Sequence, residues 1–573
     1  MLDYKSSFVP SESAERVLRT GRILAEHESP ADMVSRVANT LGEQEFAFTD
    51  DPERAAQFVS DFGSALDRQE IIMSTPVMTN AGRYTERPLT ACTVPTTSLD
   101  PESKKLLREE IISLHEQGMG TGFNLDDTKQ PDETLRFLNM VAVESANSGR
   151  EDRPVGNMAV LNVRHPKIDD FINVKKDAPA RGEKWKFNIS VDLDDEFMEQ
   201  LELDGVITLR DGQQRKAREI FQEICEAATV CADPGIIFLD RMNDRNPVPG
   251  LGSYKTTAPC AEVGLIEGET CQFGYINMGK FVSLGSTGPA IDFDRLEQTT
   301  ILMTTALDNS LEISQDNLDG DEIRHMSSQK RKIGIGLCGV ADAISLAGLP
   351  YDSPEARTLM QDALSFINFV SKKASMKLAE ERGSFGAMSM SDGNRHLEEP
   401  GHLEHLYGNI STNAVSAEEW RDLSERIRET KMLRNSSTVA LPPTGRSALI
   451  IDASTGIEPH FDTLQANPAV LSSLANLLRA QYGADLYDPQ THTPEVARIV
   501  ASAHSIEPLG HIAMVAALQR LTDEAISKTI NLPAGSSPDD VAAVYKEGYQ
   551  AGMSGVTIYV DQSHGTTQPK QVR

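Results

Sequence analysis

The chain is poor in cysteine and in positive charge, and no long apolar run interrupts it. Its six cysteines (Cys92, Cys225, Cys231, Cys260, Cys271 and Cys338) are scattered through 573 residues and form no Cys-x-x-Cys pair. That argues against a secreted disulfide scaffold and against a zinc site, so no metal-ligand set is expected. Redox or radical use remains open for these thiols, as does simple burial. Lysine and arginine number 55 against 85 acidic residues, a net charge of −30. A field of that sign repels DNA, RNA and anionic membranes, so neither a nucleic-acid polymer nor a membrane is an expected partner. Small phosphorylated ligands are still compatible, because helix N-termini and glycine-rich turns hold phosphate locally. The opening MLDYKSSFVPSESAERVLRTGR lacks an apolar stretch of signal-peptide length, and no later segment has the run that a membrane span requires. The expectation is a cytoplasmic protein.

What is present reads as alternating helix and strand. Residues 1–70 form a small N-terminal helical region, with apolar positions recurring at three- and four-residue spacing in SAERVLRTGRILAEH and DDPERAAQFVSDFGSALDRQE. From about Met73 short β-like runs alternate with helical stretches: KFNISVDL, AREIFQEICEAATVCAD, GIIFLD, IGIGLCGVADAI. That alternation predicts an α/β architecture over residues 71–562. Ser353 as N-cap, Pro354 in the first turn and a left-handed Gly383 at the end predict one long helix. Near the end KTINLP, a helix opened by Ser537-Pro538 and closed at Gly552, and GVTIYV make a strand–helix–strand unit. Residues 563–573 are polar and expected to form a flexible tail.

The densest chemistry lies in TTAPCAEVGLIEGETCQFGYINMGK, where Cys260 precedes Glu262 by two residues and Cys271 follows eleven after Cys260. On an extended loop, alternation would point the Cys260 and Glu262 side chains the same way, towards one small molecule. A buried Cys260 beside a solvated Glu262 is the plainer alternative, since free cysteine is often buried. Burial is also the reading for Cys225 and Cys231, six apart on one helix, and for Cys338 in a glycine-rich apolar strand.

Several further segments, taken in order, resemble the catalytic subunits of ribonucleotide reductases: MSTPVMTNAG with LTACTVP, FNISVDLDDEFM, APCAE with CQFGYINMG, RKIGIGLCGVAD, LPPTGRSALIIDASTGIEPHF, and SKTINLP with GVTIYVD. The likeness runs from about residue 70 to residue 562. It implies a ten-stranded α/β barrel of two antiparallel-packed parallel half-sheets, with a central finger loop carrying Cys260. It further implies that a thiyl radical on Cys260 removes the ribose C3′ hydrogen, that Glu262 takes the 3′-hydroxyl proton, and that Cys92 and Cys271 supply proton and electrons and end as a disulfide. Thr75, Ala91, Cys92 and Ala258 would border the sugar, and Pro443, Thr444, Gly445, Arg446 and Ser447 would cradle the phosphates of a ribonucleoside di- or triphosphate.

The family branch implied is the adenosylcobalamin-dependent one. There is no glycyl-radical motif near the end, the adjacent tyrosines of oxygen-dependent subunits are replaced by Tyr559-Val560, and the Cys260 to Cys271 spacing resembles the cobalamin branch. That branch uses no Asp-x-His cobalamin motif, and none is seen. A thioredoxin- or glutaredoxin-like dithiol would regenerate the thiols, and a monomer or homodimer is expected. The chain departs from the family in reading Ala-Pro-Cys-Ala-Glu where Asn-Pro-Cys-Gly-Glu is usual, in Arg446, in the altered 145–161 stretch where a specificity loop sits, and in having no cysteine after Cys338. These departures keep two alternatives in view: a related radical enzyme acting on a modified nucleotide or nucleoside, and a nucleotide-binding homologue without catalysis.

Overall fold

The computed structural model describes residues 2–148, 155–285 and 288–561. The expected tail at 563–573 lies outside them, as does the middle of the 145–161 stretch. Three N-terminal helices, α1 (Glu12–Thr20), α2 (Pro30–Glu43) and α3 (Pro52–Asp67), start where Ser11, Ser29 and Asp51 accept from free backbone amides of the first turn. Their apolar faces, through Leu18, Val37, Leu41 and Phe62, join the same hydrophobic core as the strands that follow. The helical region is therefore packed onto the rest and is not a separate body.

Ten strands make the main sheet. They are β1 (Ile71–Met73), β2 (Cys92–Thr93), β3 (Gly120–Asn124), β4 (Asn157–Asn162), β5 (Phe187–Asp192), β6 (Gly235–Ile237), β7 (Thr270–Asn277), β8 (Ile333–Cys338), β9 (Thr529–Leu532) and β10 (Gly555–Val560). Strands β2 to β6 run parallel in chain order. The pairs β7/β8 and β9/β10 are each parallel as well, but β7 meets β2 and β10 meets β6 antiparallel. Two half-sheets of opposite direction result, and β1 adds an antiparallel edge on β7. Between β8 and β9 no continuous ladder forms. The gap is crossed by the parallel bridges Ile335 to Val439 and Leu441 to Ile526, where the Ile335 amide donates to the Thr438 carbonyl (2.7 Å) and the Ser527 amide to that of Leu441 (2.9 Å). Residues 437–441 thus do a strand's work without its length, because Pro442 and Pro443 follow and proline has no amide to donate. Every residue of β7 and β8 is buried, as expected for parallel strands covered on both faces.

The long helix α5 (Pro354–Arg382) begins as expected, with the Ser353 hydroxyl accepting from the Ala356 amide at 3.1 Å. Gly383 differs: φ is +81° but ψ is 159°, so it leaves the helix by an extended step, while its amide still reaches the Ala379 carbonyl. The terminal helix Pro538–Gln550 carries a capping box of Ser537 and Asp540 and stops two residues before Gly552.

Between β6 and β7 the two-residue strands Thr256–Thr257 and Gly264–Leu265 pair antiparallel and carry a loop into the barrel centre. Two glycines make room for it. A Cβ on Gly120 would stand 2.8 Å from Pro259 Cγ, and one on Gly156 would stand 3.0 Å from Pro259 Cβ. The Asn188 amide donates to the Pro259 carbonyl (2.8 Å), and the Ala525 backbone amide donates to the Glu262 carbonyl (3.0 Å).

Candidate active site

The register of β2 on β7 sets Cys92 directly opposite Cys271. Antiparallel partners have Cα atoms roughly 4.5–5.5 Å apart, inside the range a disulfide needs. Both thiols are free, and the Cys271 sulfur lies 3.9 Å from the Cys92 carbonyl. Cys271 is wholly buried while Cys92 shows a small face. Burial first, and then the Cys92 thiol beside it, push the Cys271 thiol well above its ordinary range.

At the finger tip the expected extended loop is corrected. The segment is a tight turn: the Ala258 amide donates to the Val263 carbonyl (2.9 Å) and the Ala261 amide to that of Ala258 (2.9 Å). Ala261 sits at φ +63°, a left-handed conformation that glycine adopts freely and alanine does not. The hairpin beneath is only two residues per strand, so the chain must reverse within this tip. Cys260 and Glu262 face the same cavity nonetheless, placed by the turn and not by alternation. Glu262 is buried, its Oε2 has no hydrogen-bond partner, and desolvation pushes its carboxyl up to about 7 against the opposing pull of nearby backbone amides.

That cavity, about 310 Å³, is lined by Thr75, Ala91, Cys92, Cys260, Glu262 and the whole run Pro443–Ser447, and cavities of roughly 300–1,000 Å³ suit small ligands. Thr75 opens the short helix α4 (Thr75–Asn80), and Gly445 opens α6 (Gly445–Ile450) at φ +43°. The Thr444 hydroxyl accepts from the Gly456 amide (2.7 Å), and Arg446 is exposed at the mouth. Ala258 is the one predicted contact that the structure does not bring there. It is fully buried at the root of the tip, its amide turned to Val263, and it is absent from the cavity wall.

Wall residues that were not anticipated include Ser74, Gly120, Gly156 and Tyr275. The Ser74 hydroxyl is buried with no partner, while its amide donates to the Phe273 carbonyl (3.0 Å). Its signals in the sequence were the Ser-Thr-Pro helix-start pattern and its place in the family-like MSTPVMTNAG segment.

A second and larger cavity, about 760 Å³, lies against the other side of the finger, and Pro259, Cys260 and Pro443 line both. Asn188, Ser190, Ser527, Thr529 and Thr557 supply polar groups there, with Trp185 and Tyr559. Cys225, Cys231 and Cys338 are buried, as expected; Cys231 borders this cavity, but its sulfur is within reach of the Ala227 and Asp233 carbonyls.

With this geometry in place, comparison with protein families gives a direct match. The model for the ribonucleotide reductase barrel domain covers residues 120–559, and the model for the all-alpha domain of the same family covers residues 10–86. The chain belongs to the ribonucleotide reductase family. Among similar proteins is a vitamin B12-dependent ribonucleoside-diphosphate reductase of Thermoplasma acidophilum, 30% identical over 89% of this chain and 66% of that protein. A protein of the same description from Mycobacterium tuberculosis (strain CDC 1551 / Oshkosh) is 29% identical over 98% of this chain and 80% of its own length. A vitamin B12-dependent ribonucleotide reductase of Streptomyces coelicolor is 25% identical over 92% and 62%. The chain thus spans between three fifths and four fifths of these reductases. Among the described residues no helix is long and apolar enough to cross a membrane.

Proposed function

We propose that this ribonucleotide reductase family member converts ribonucleotides to 2′-deoxyribonucleotides with adenosylcobalamin, as the names of its relatives suggest. The observation that carries the reading is the convergence of Cys260, Glu262 and Cys92 on one cavity with Cys271 directly behind Cys92. The second cavity is where part of the cofactor would lie: it offers the Ser190, Ser527, Thr529 and Thr557 hydroxyls, the Asn188 amide and the charged Lys175, Glu183 and Asp233, and it shares the Cys260 wall. Adenosylcobalamin bound there would supply the radical chemistry beside Cys260.

The chain's own residues do the rest. Cys260, as a thiyl radical, takes the hydrogen from ribose C3′ and later returns it. Glu262, with an unpartnered oxygen facing the cavity, takes the proton of the 3′-hydroxyl. Cys92 is the thiol that faces the cavity, so it protonates the departing 2′-hydroxyl, which leaves as water. The two electrons come from Cys92 and Cys271, which join as a disulfide while their second hydrogen ends on ribose C2′ in place of the departed hydroxyl. Thr444, Gly445, Arg446 and Ser447 hold the phosphates with hydroxyls, amides and one guanidinium. A thioredoxin- or glutaredoxin-like dithiol then reopens the disulfide, and a cytoplasmic setting belongs to the same proposal.

The test is anaerobic incubation with adenosylcobalamin, a dithiol and each common ribonucleotide. Deoxyribonucleotide formation that vanishes in Cys260→Ser supports the reading; no deoxyribonucleotide and no cob(II)alamin signal by electron paramagnetic resonance would sink it.

A further inference from the structure

Behind the finger lies a group of ionic side chains that the reaction above does not use. Lys330, Lys332, Glu269 and Glu524 are all buried, and so is Tyr254. The Lys332 ammonium is 2.8 Å from Glu269 Oε1 and 3.0 Å from Glu524 Oε1, and it donates to the Gly264 carbonyl (2.8 Å) and the Tyr254 hydroxyl (3.2 Å). Lys330 is 2.9 Å from the same Glu269 oxygen, and both ammonium groups stand 4.5 Å from the Tyr254 ring centroid.

Each partner belongs to a different part of the finger's support. Tyr254 leads into the first finger strand, and Gly264 lies in the second. Glu269 accepts from the Ile266 amide (3.0 Å) just past that strand and immediately precedes β7, which carries Cys271. Glu524 precedes Ala525, whose amide holds the Glu262 carbonyl, and it also accepts from Ser437 (2.9 Å). Lys332 itself precedes β8, where Ile333 pairs with Gln272, the neighbour of Cys271. One ammonium therefore joins both finger strands, the strand of the redox thiol and the segment gripping Glu262.

Buried ion pairs add little net stability over well-packed apolar side chains, so stability alone does not account for four charges here. What such a group adds is direction. An ammonium has three protons and makes its short contacts in only a few arrangements. We propose that Lys332 is a positioning residue, which holds the Cys260 and Glu262 finger in place against the Cys92–Cys271 pair through the buried Glu269–Glu524–Tyr254 cluster. It touches neither substrate nor cofactor. The Cys271 thiol also feels it, since the Lys332 charge is among the influences that lower that thiol against burial.

This rests on the proposed reductase reading for its kinetic arm alone. Two variants test it: Glu524→Gln, which keeps shape, and Lys332→Met/Glu524→Gln, which removes one charge of each sign and leaves the cluster balanced. Amide exchange of residues 255–265, followed by mass spectrometry, needs no turnover. In folded protein the double variant is expected to exchange there about tenfold faster than wild type, and Glu524→Gln in the same direction by less. Its kcat for nucleotide reduction should fall about tenfold while KM changes less than about threefold, the pattern of a disturbed reacting geometry and not of lost binding. Exchange at wild-type rate in both variants overturns the proposal. If wild-type protein forms no deoxyribonucleotide, the function reading fails, and the exchange comparison still decides the role of Lys332.

Discussion

In the proposed mechanism Glu262 must be ionised to take a proton, yet burial raises its carboxyl to about 7. Activity that depends on it should therefore fall as pH drops below about 7, by about tenfold per unit, and a kcat/KM profile checks this. Stability runs the other way. A carboxyl whose folded pKa is raised costs nothing while protonated in both states, below about 4.5. Its penalty grows as pH rises and is complete above about 7, roughly 3 kcal/mol in all. Glu262→Gln should accordingly raise Tm at pH 8, leave it nearly unchanged at pH 4.5, and abolish turnover at both. Two neighbouring positions separate what residue types can tell from what they cannot. The type and spacing of Cys260 and Glu262 were enough to nominate them, but the left-handed Ala261 between them was invisible, because its backbone follows from a hairpin too short to be read from periodicity.

The finger reaches the barrel centre because Gly120 on β3 and Gly156 just before β4 leave space for Pro259. Gly120→Ala would put a methyl 2.8 Å from both Pro259 Cγ and the Gly156 carbonyl. Overpacking of that kind costs about 1–3 kcal/mol, and part of the strain falls on the finger, which bears Pro259. The expected outcome is a modest drop in Tm with a much larger drop in kcat, measured side by side. Helix α5 was legible to its N-cap because Ser353-Pro354 is a local signal. The strands β5, β6, β8, β9 and β10 were legible as short β-like runs. The pairing of Cys92 with Cys271 was not, since it depends on β2 meeting β7 antiparallel across 179 residues, and only the family resemblance suggested it. The Lys330–Lys332 cluster escaped for the same reason: its partners Tyr254, Glu269 and Glu524 are distant in the chain.

At the scale of the whole molecule, the main sheet is joined across its gap most lightly where the turn at Pro443–Ser447 begins. Strands β4 and β5 share six paired positions, whereas β8 and β9 are linked only through the bridges around Val439 and Leu441. Amides of Ala440 and Leu441 should exchange faster than those of β4. Bound nucleotide should slow them more than it slows β4, because the turn at Pro443–Ser447 is the next thing the ligand holds; equal protection at both places would contradict this. The central finger has a different consequence. Its tip forms part of the partition between two rooms, and Cys260 borders both of them. Matter need not cross such a wall for reactivity to cross it: an unpaired electron arriving on one face is felt on the other. On the proposed function, residues that line only one room can change without altering the other, so the radical's source and the sugar's surroundings are coupled through the shared wall alone.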